Sequence, residues 1–149
     1  MSISNVVLCA AARTAIGTYG GALKDVPAPD LGATAIRASL GRAKLNGSDI
    51  GTVVMGQVVQ AGARMNPARQ AAIKAGISVE VPAMTVNRVC GSGAQAIATA
   101  AQEVMLGFVQ SAVAGGMENM DQSPYLLSGG RWGYRMGDGQ IYDSMLRDG

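Results

Sequence analysis

The sequence predicts an α/β fold with a largely parallel sheet, and three observations carry that reading. Short apolar runs alternate with longer runs of helix formers in the order β-α-β-α-β-α-β. The first run, residues 6–12 (Val-Val-Leu-Cys-Ala-Ala-Ala), is apolar without alternation, the pattern of a strand covered on both faces. Cap and turn residues fall at the junctions, with Asn66-Pro67 opening one helix and Gly76 stopping it.

Taken in order, the strand at 6–12 encloses Cys9, read as a small buried hydrophobe with an inert thiol. A glycine-rich loop follows from Arg13 to Gly21. It contains neither GxGxxG nor GxxxxGK, so it is not a phosphate-binding fingerprint. Asp30 is a plausible N-cap for a helix in which Leu31, Ala35 and Ala38, and Ile36, Leu40 and Ala43, recur at helical spacing; Asn46-Gly47 closes it. Residues 52–59 form the second strand, 83–89 the third and 111–116 the fourth. Between the last two lies an alanine-rich helix over 94–106, apolar around most of its circumference with Glu103 as its one charge, the pattern of a buried helix. Beyond Met117 the composition changes. Tyr125, Trp132, Tyr134 and Tyr142 crowd together with many glycines, and 128–139 has no regular period.

Apolar residues make up 48% and charged residues 15%, which excludes a disordered chain. A net charge of +2 with no basic stripe excludes an electrostatic nucleic-acid binder. Cys9 and Cys90 are the two cysteines and histidine is absent, so neither a metal site nor a structural disulfide is expected. No run approaches the roughly 20 apolar residues of a membrane span, and the start lacks a signal-peptide pattern, so a soluble cytoplasmic protein is expected.

The chemistry concentrates at Val86-Asn87-Arg88-Val89-Cys90-Gly91-Ser92-Gly93-Ala94, a strand running into a helix with Cys90 at the junction. A thiol beside the unpaired N–H groups of a helix start sits where the macrodipole favours an anion, the condition for a usable nucleophile. Cys90 is therefore the candidate catalytic residue. Arg88 either favours the thiolate or pairs elsewhere, Asn87 is read as holding loops, and Met117, Glu118 and Asn119 are either a substrate contact or a structural turn.

These residues resemble the thiolases, of the acetyl-CoA C-acetyltransferase type. The resemblance rests on Arg13-Thr14-Ala15-Ile16-Gly17 with Gly20-Gly21, and on Asn87-Arg88-Val89-Cys90-Gly91-Ser92-Gly93. It rests also on Gly115-Gly116-Met117-Glu118-Asn119-Met120 with Pro124-Tyr125, and on Arg131-Trp132-Gly133. It implies a thiolase-like βαβαβαβ half followed by the beginning of an inserted loop domain: residues 1–119 as N-terminal thiolase domain and 120–149 as the incomplete loop domain. It implies reversible Claisen condensation of two acetyl-CoA to acetoacetyl-CoA through an acetyl-cysteine on Cys90. Coenzyme A thioesters are then substrates, with no permanently bound cofactor, and Met145 and Leu146 border the pantetheine channel. The Gly-His-Pro and Cys-x-Gly segments of the family's second half are missing, so the resemblance implies a chain that is catalytically incomplete alone: either it is cut within the loop domain, or a complementary C-terminal polypeptide reassembles with it. The family is typically dimeric or tetrameric and active in fatty acid metabolism. Alternatives are a 3-ketoacyl-CoA thiolase of broader chain length, or a non-catalytic half-thiolase interaction module; the Cys90 context argues against a ketoacyl synthase.

Overall fold

The computed structural model describes residues 5–148; the outermost residues of the two expected domains, 1–4 and 149, lie outside the described residues. Its centre is a three-stranded parallel sheet of β1 (Thr52–Gly56), β2 (Ala83–Val86) and β3 (Ala112–Gly116), in the order β2-β1-β3. Val54 of β1 lies opposite Met84 on one side and Ala114 on the other. Every residue of β1 is buried, as expected for a central strand covered above and below.

The strand alternation decides what covers each face. Val53 and Met55 point into a core shared with α1 (Ala28–Ala43) and α2 (Pro67–Ala75), and Val54 points to the opposite side, against Ala96 and Ala100 of α3 (Ser92–Met105). The side facing α1 and α2 is rich in alanine: Ala28, Ala33, Ala68, Ala71, Ala72 and Ala75 are all buried there, with Ile36 and Leu40. The α2 boundaries fall where the caps indicate. Asn66 accepts from the Arg69 amide at 3.2 Å, Pro67 occupies the first turn, and Gly76 terminates the helix at φ 90°. α1 starts two residues before Asp30, so Asp30 sits in its first turn and pairs with Lys74 of α2 instead of capping. It ends at Lys44 in the left-handed conformation, ahead of Asn46.

Beyond β3 the chain forms a separate antiparallel pair, β4 (Tyr125–Leu127) and β5 (Ile141–Asp143), followed by α4 (Ser144–Asp148). The Ser144 hydroxyl donates to the Pro124 carbonyl at 2.5 Å and closes the base of this hairpin.

The α/β class and the parallel sheet agree with the sequence reading, but besides the ends of α1 two further expectations do not hold. Residues 6–12 form no strand. They hydrogen-bond to neither β2 nor β3, Ala10 interrupts the extended course at φ 54°, and Val7 and Leu8 are 80% and 76% exposed. A strand needs a ladder partner, and apolar composition alone does not supply one. Cys9 is accordingly exposed, not buried. α3 is also not buried all round. Only Ser92, Ala96 and Ala100 are buried, while Ile97, Met105 and Leu106 reach solvent, because nothing among the described residues packs on its outer side.

The C-terminal end of β1 presses on the start of α3. A Cβ at Gly56 would lie 2.5 Å from the Ser92 carbonyl carbon and 2.7 Å from the Gly93 nitrogen, both backbone atoms that cannot step aside. Gly56→Ala is expected to destabilise the fold by about 1–3 kcal/mol in urea unfolding, through overpacking. Gly41→Ala, on the exposed face of α1 with open space around its Cβ, is expected to stabilise by about 0.5–1 kcal/mol in the same measurement.

Candidate active site

β2 ends at Val86 and α3 begins at Ser92, so residues 87–91 carry the chain from sheet to helix. Two side chains organise this turn. Asn87 donates through Nδ2 to the Val58 carbonyl at 3.1 Å, anchoring the loop to the segment that follows β1, and its Oδ1 accepts from the Val89 amide at 2.9 Å. Ser92, 4% exposed, donates through Oγ to the Val89 carbonyl at 2.6 Å and accepts from the Arg88 amide at 2.8 Å. Backbone bonds from Gly91 to Arg88 (3.1 Å) and from Ser92 to Val89 (3.0 Å) close the turn.

Held between them, Val89 has φ 50°. A β-branched L-residue in the left-handed region is a genuine outlier, of a kind costing about 1–3 kcal/mol. Cys90 follows at the tip of this bend, exposed, one residue before the Gly91 N-cap of α3. The thiol thus stands above the C-terminal end of the parallel sheet, next to a helix start, the place where open α/β sheets present ligands. It lines neither of two clefts formed among the described residues. One, about 350 Å³, runs between Pro27–Pro29, Gln57, Val59 and 61–64; the other, about 460 Å³, lies between 12–19 and 116–121.

The other residues that the sequence singles out separate from Cys90 in role. Arg88 donates to Gln95 Oε1 at 2.8 Å, so its guanidinium is engaged along α3 by a neutral amide. Asn87 holds loops, as expected. Of the two readings of Glu118 and Asn119, the contacts are those of a structural turn. Glu118 Oε2 accepts from the Val58 amide at 2.7 Å and the Val59 amide at 3.3 Å, joining the ends of β3 and β1. Asn119 Nδ2 is shared among the carbonyls of Leu23, Lys24 and Val26 (3.1, 3.1 and 2.7 Å), while its Oδ1 accepts from the Asp121 amide at 3.0 Å. Met117 is buried beneath α1. Met145 and Leu146 lie on α4, packed on β5, with Leu146 80% exposed, and no hydrogen bond among the described residues joins α4 to the Cys90 loop.

Sequence reasoning does not single out Ser92, which bonds both neighbours of the bend. The signal that could have found it is a serine next to two glycines at a helix start, where a hydroxyl competes for local backbone groups. Among the described residues no group of His, Cys, Asp or Glu side chains is placed to hold a metal ion.

Residues 6–149 match the family model described as thiolase, N-terminal domain. The chain is 52% identical over 147 residues to an acetyl-CoA acetyltransferase of Cupriavidus necator and 53% identical over 148 residues to one of Escherichia coli (strain K12). It is also 52% identical to a probable acetyl-CoA acyltransferase of Staphylococcus aureus (strain MRSA252). Each match covers 99% of this chain and 37–38% of the relative, so the chain spans under two fifths of the length of the curated relatives it matches.

Asn119→Ala removes the donor that gathers three carbonyls of the 23–26 turn. It is expected to cost about 0.5–1.5 kcal/mol in chemical unfolding, the scale of lost hydrogen bonds to part-buried and exposed carbonyls that water can reach in its place. Faster amide hydrogen exchange is expected over residues 20–26, while exchange in α3 stays unchanged.

Proposed function

The chain belongs to the thiolase family, and from that premise we propose that it supplies the nucleophile-bearing part of an acetyl-CoA acetyltransferase, with Cys90 as the acyl acceptor. The observation that carries this reading is an exposed thiol at the tip of a restrained, left-handed bend, directly before the N-terminus of α3. In the condensing direction the Cys90 thiolate attacks the acetyl-CoA carbonyl, and the tetrahedral intermediate collapses with departure of the CoA thiolate, which takes up a proton. This leaves an acetyl thioester on Sγ. A second acetyl-CoA, deprotonated at its methyl carbon, then attacks that thioester to give acetoacetyl-CoA and regenerate the Cys90 thiolate. One thioester replaces another in the first step, so the exchange is close to balanced and reversible. The Cys90 backbone N–H is a candidate donor to the developing oxyanion, an interaction of a kind worth about 3 kcal/mol.

By the family resemblance the two proton transfers fall to a histidine and a second cysteine of the family's second half, and these 149 residues contain no histidine and neither a Gly-His-Pro nor a Cys-x-Gly segment. We therefore assign the base and the second acid–base group to a complementary C-terminal thiolase polypeptide, and regard 1–119 as the N-terminal domain and 120–149 as the start of the loop domain. The apolar outer face of α3 (Ile97, Met105, Leu106) and the exposed Val7 and Leu8 support a large contact with such a partner. A dimeric or tetrameric assembly, a cytoplasmic setting in fatty acid metabolism, CoA thioesters as the only cofactor-like ligands, and a pantetheine channel bordered by Met145 and Leu146 complete the proposal. No helix among the described residues is long and apolar enough to cross a membrane.

The test is acetyl transfer. Incubated with acetyl-CoA in the presence of the complementary polypeptide, the chain is expected to carry an acetyl group on Cys90, located by peptide mass spectrometry. Cys90→Ser is expected to lower thiolase turnover at least about 1000-fold, the scale of losing a nucleophile, and Cys9→Ser to leave it within about twofold. Acetylation that persists in Cys90→Ser would overturn the assignment.

A further inference from the structure

Val89 is the least expected residue of the cysteine loop. Left-handed backbone is reached readily by glycine and occasionally by asparagine, and a β-branched side chain resists it. The chain places Val89 at φ 50° with glycines nearby that go unused for the purpose, since Gly91 and Gly93 keep negative φ. An unfavourable conformation persists only where its surroundings over-determine it. Here the restraints can be counted atom by atom. Asn87 Oδ1 takes the Val89 amide at 2.9 Å, and Ser92 Oγ holds the Val89 carbonyl at 2.6 Å. These two bonds fix both peptide groups flanking Val89 through side chains that are themselves anchored, and the same Ser92 hydroxyl oxygen accepts the Arg88 amide of the preceding peptide at 2.8 Å. Ser92 is pinned by burial against Gly56, and Asn87 by its bond to the Val58 carbonyl.

We infer that Asn87 and Ser92 are positioning residues for Cys90: they hold Val89 in a conformation it would otherwise leave, and so set the direction in which the Cys90 side chain departs from the backbone at the start of α3. This rests on the reading of Cys90 as nucleophile. The bend works as a clamped spring, in which the valine supplies stiffness and the two polar side chains reinforce the closure that the backbone bonds from Gly91 to Arg88 and from Ser92 to Val89 begin. Without the clamp, Val89 relaxes toward extended backbone and Cys90 turns away from the helix start. Glycine at 89 needs no clamp, because both conformations are open to it.

That difference gives the experiment, performed on the full chain carrying Cys9→Ser so that Cys90 is its one thiol. The readout is the second-order rate of Cys90 alkylation by iodoacetamide across pH. Ser92→Ala is expected to lower the rate about tenfold at neutral pH, the scale of losing restraint on a strained conformer, and to displace the pH profile. In a Val89→Gly background, Ser92→Ala is expected to cost less than about threefold, because there is little strain left to hold. Asn87→Ala is expected to behave in the same way as Ser92→Ala in both backgrounds. Proton NMR supplies the second measurement. A strong Overhauser effect between the Val89 amide and its own Hα marks positive φ, and it is expected to weaken in Ser92→Ala while the amides of β1 and β3 keep their shifts. An equal loss with valine or glycine at 89, or an unchanged Overhauser effect in Ser92→Ala, would overturn the inference. Failure of Cys90 to accept an acetyl group would instead sink the functional reading, and would leave the alkylation result standing by itself.

Discussion

The rest of the structure depends on a contact between backbones. At the end of the sheet, β1 finishes at Gly56 and β3 at Gly116, and the first turn of α3 rests on both. The Gly93 Cα is 3.4 Å from the place a Gly116 Cβ would occupy, and Gly56 is closer still to Ser92. With side chains removed from this junction, the helix start is levelled against the strand ends themselves and not against flexible groups. Cys90 inherits its height above the sheet from that contact and its direction from the bend that precedes it. Position and orientation are thus set by different atoms.

Glu118 and Asn119 extend the same arrangement outward. One carboxylate oxygen gathers two amides beyond β1, and one carboxamide gathers three carbonyls from the 23–26 turn. The other Glu118 oxygen and the Gln57 carboxamide oxygen are buried with no hydrogen-bond partner among the described residues. Segments far apart in sequence are therefore tied at the strand ends by polar groups, while the apolar contacts lie further down the sheet. The end that presents the thiol is held by directional bonds, and the body by packing.

How much of this is legible in the sequence depends on whether the controlling interaction is local. Asn66-Pro67 and Gly76 bound α2 because caps act within a few residues. The three parallel strands are legible because each carries its own apolar run. The segment at 6–12 departs from expectation because its composition suits a strand but its fate depends on a distant edge to pair with. α3 departs for a similar reason: an apolar circumference describes what a helix can bury, and Ala96 and Ala100 account for one side only. The placement of Cys90 just before a helix start is visible from its glycines and helix context. The left-handed Val89 is not, since valine argues against such a backbone and only the bonds from Asn87 and Ser92 reveal it.

The seam between α1 and α2 has a calorimetric consequence. Its buried residues are mostly alanines, with Ile36 and Leu40 as the larger exceptions. An alanine methyl has no rotamers to freeze, so closing this seam surrenders little side-chain entropy. It also hides little apolar area per residue, and the heat-capacity increment on unfolding follows apolar area. A layer built this way trades depth of stability for breadth: its free energy varies gently with temperature, and the two helices keep their grip on the sheet over a wider thermal range than a leucine-rich seam of equal strength.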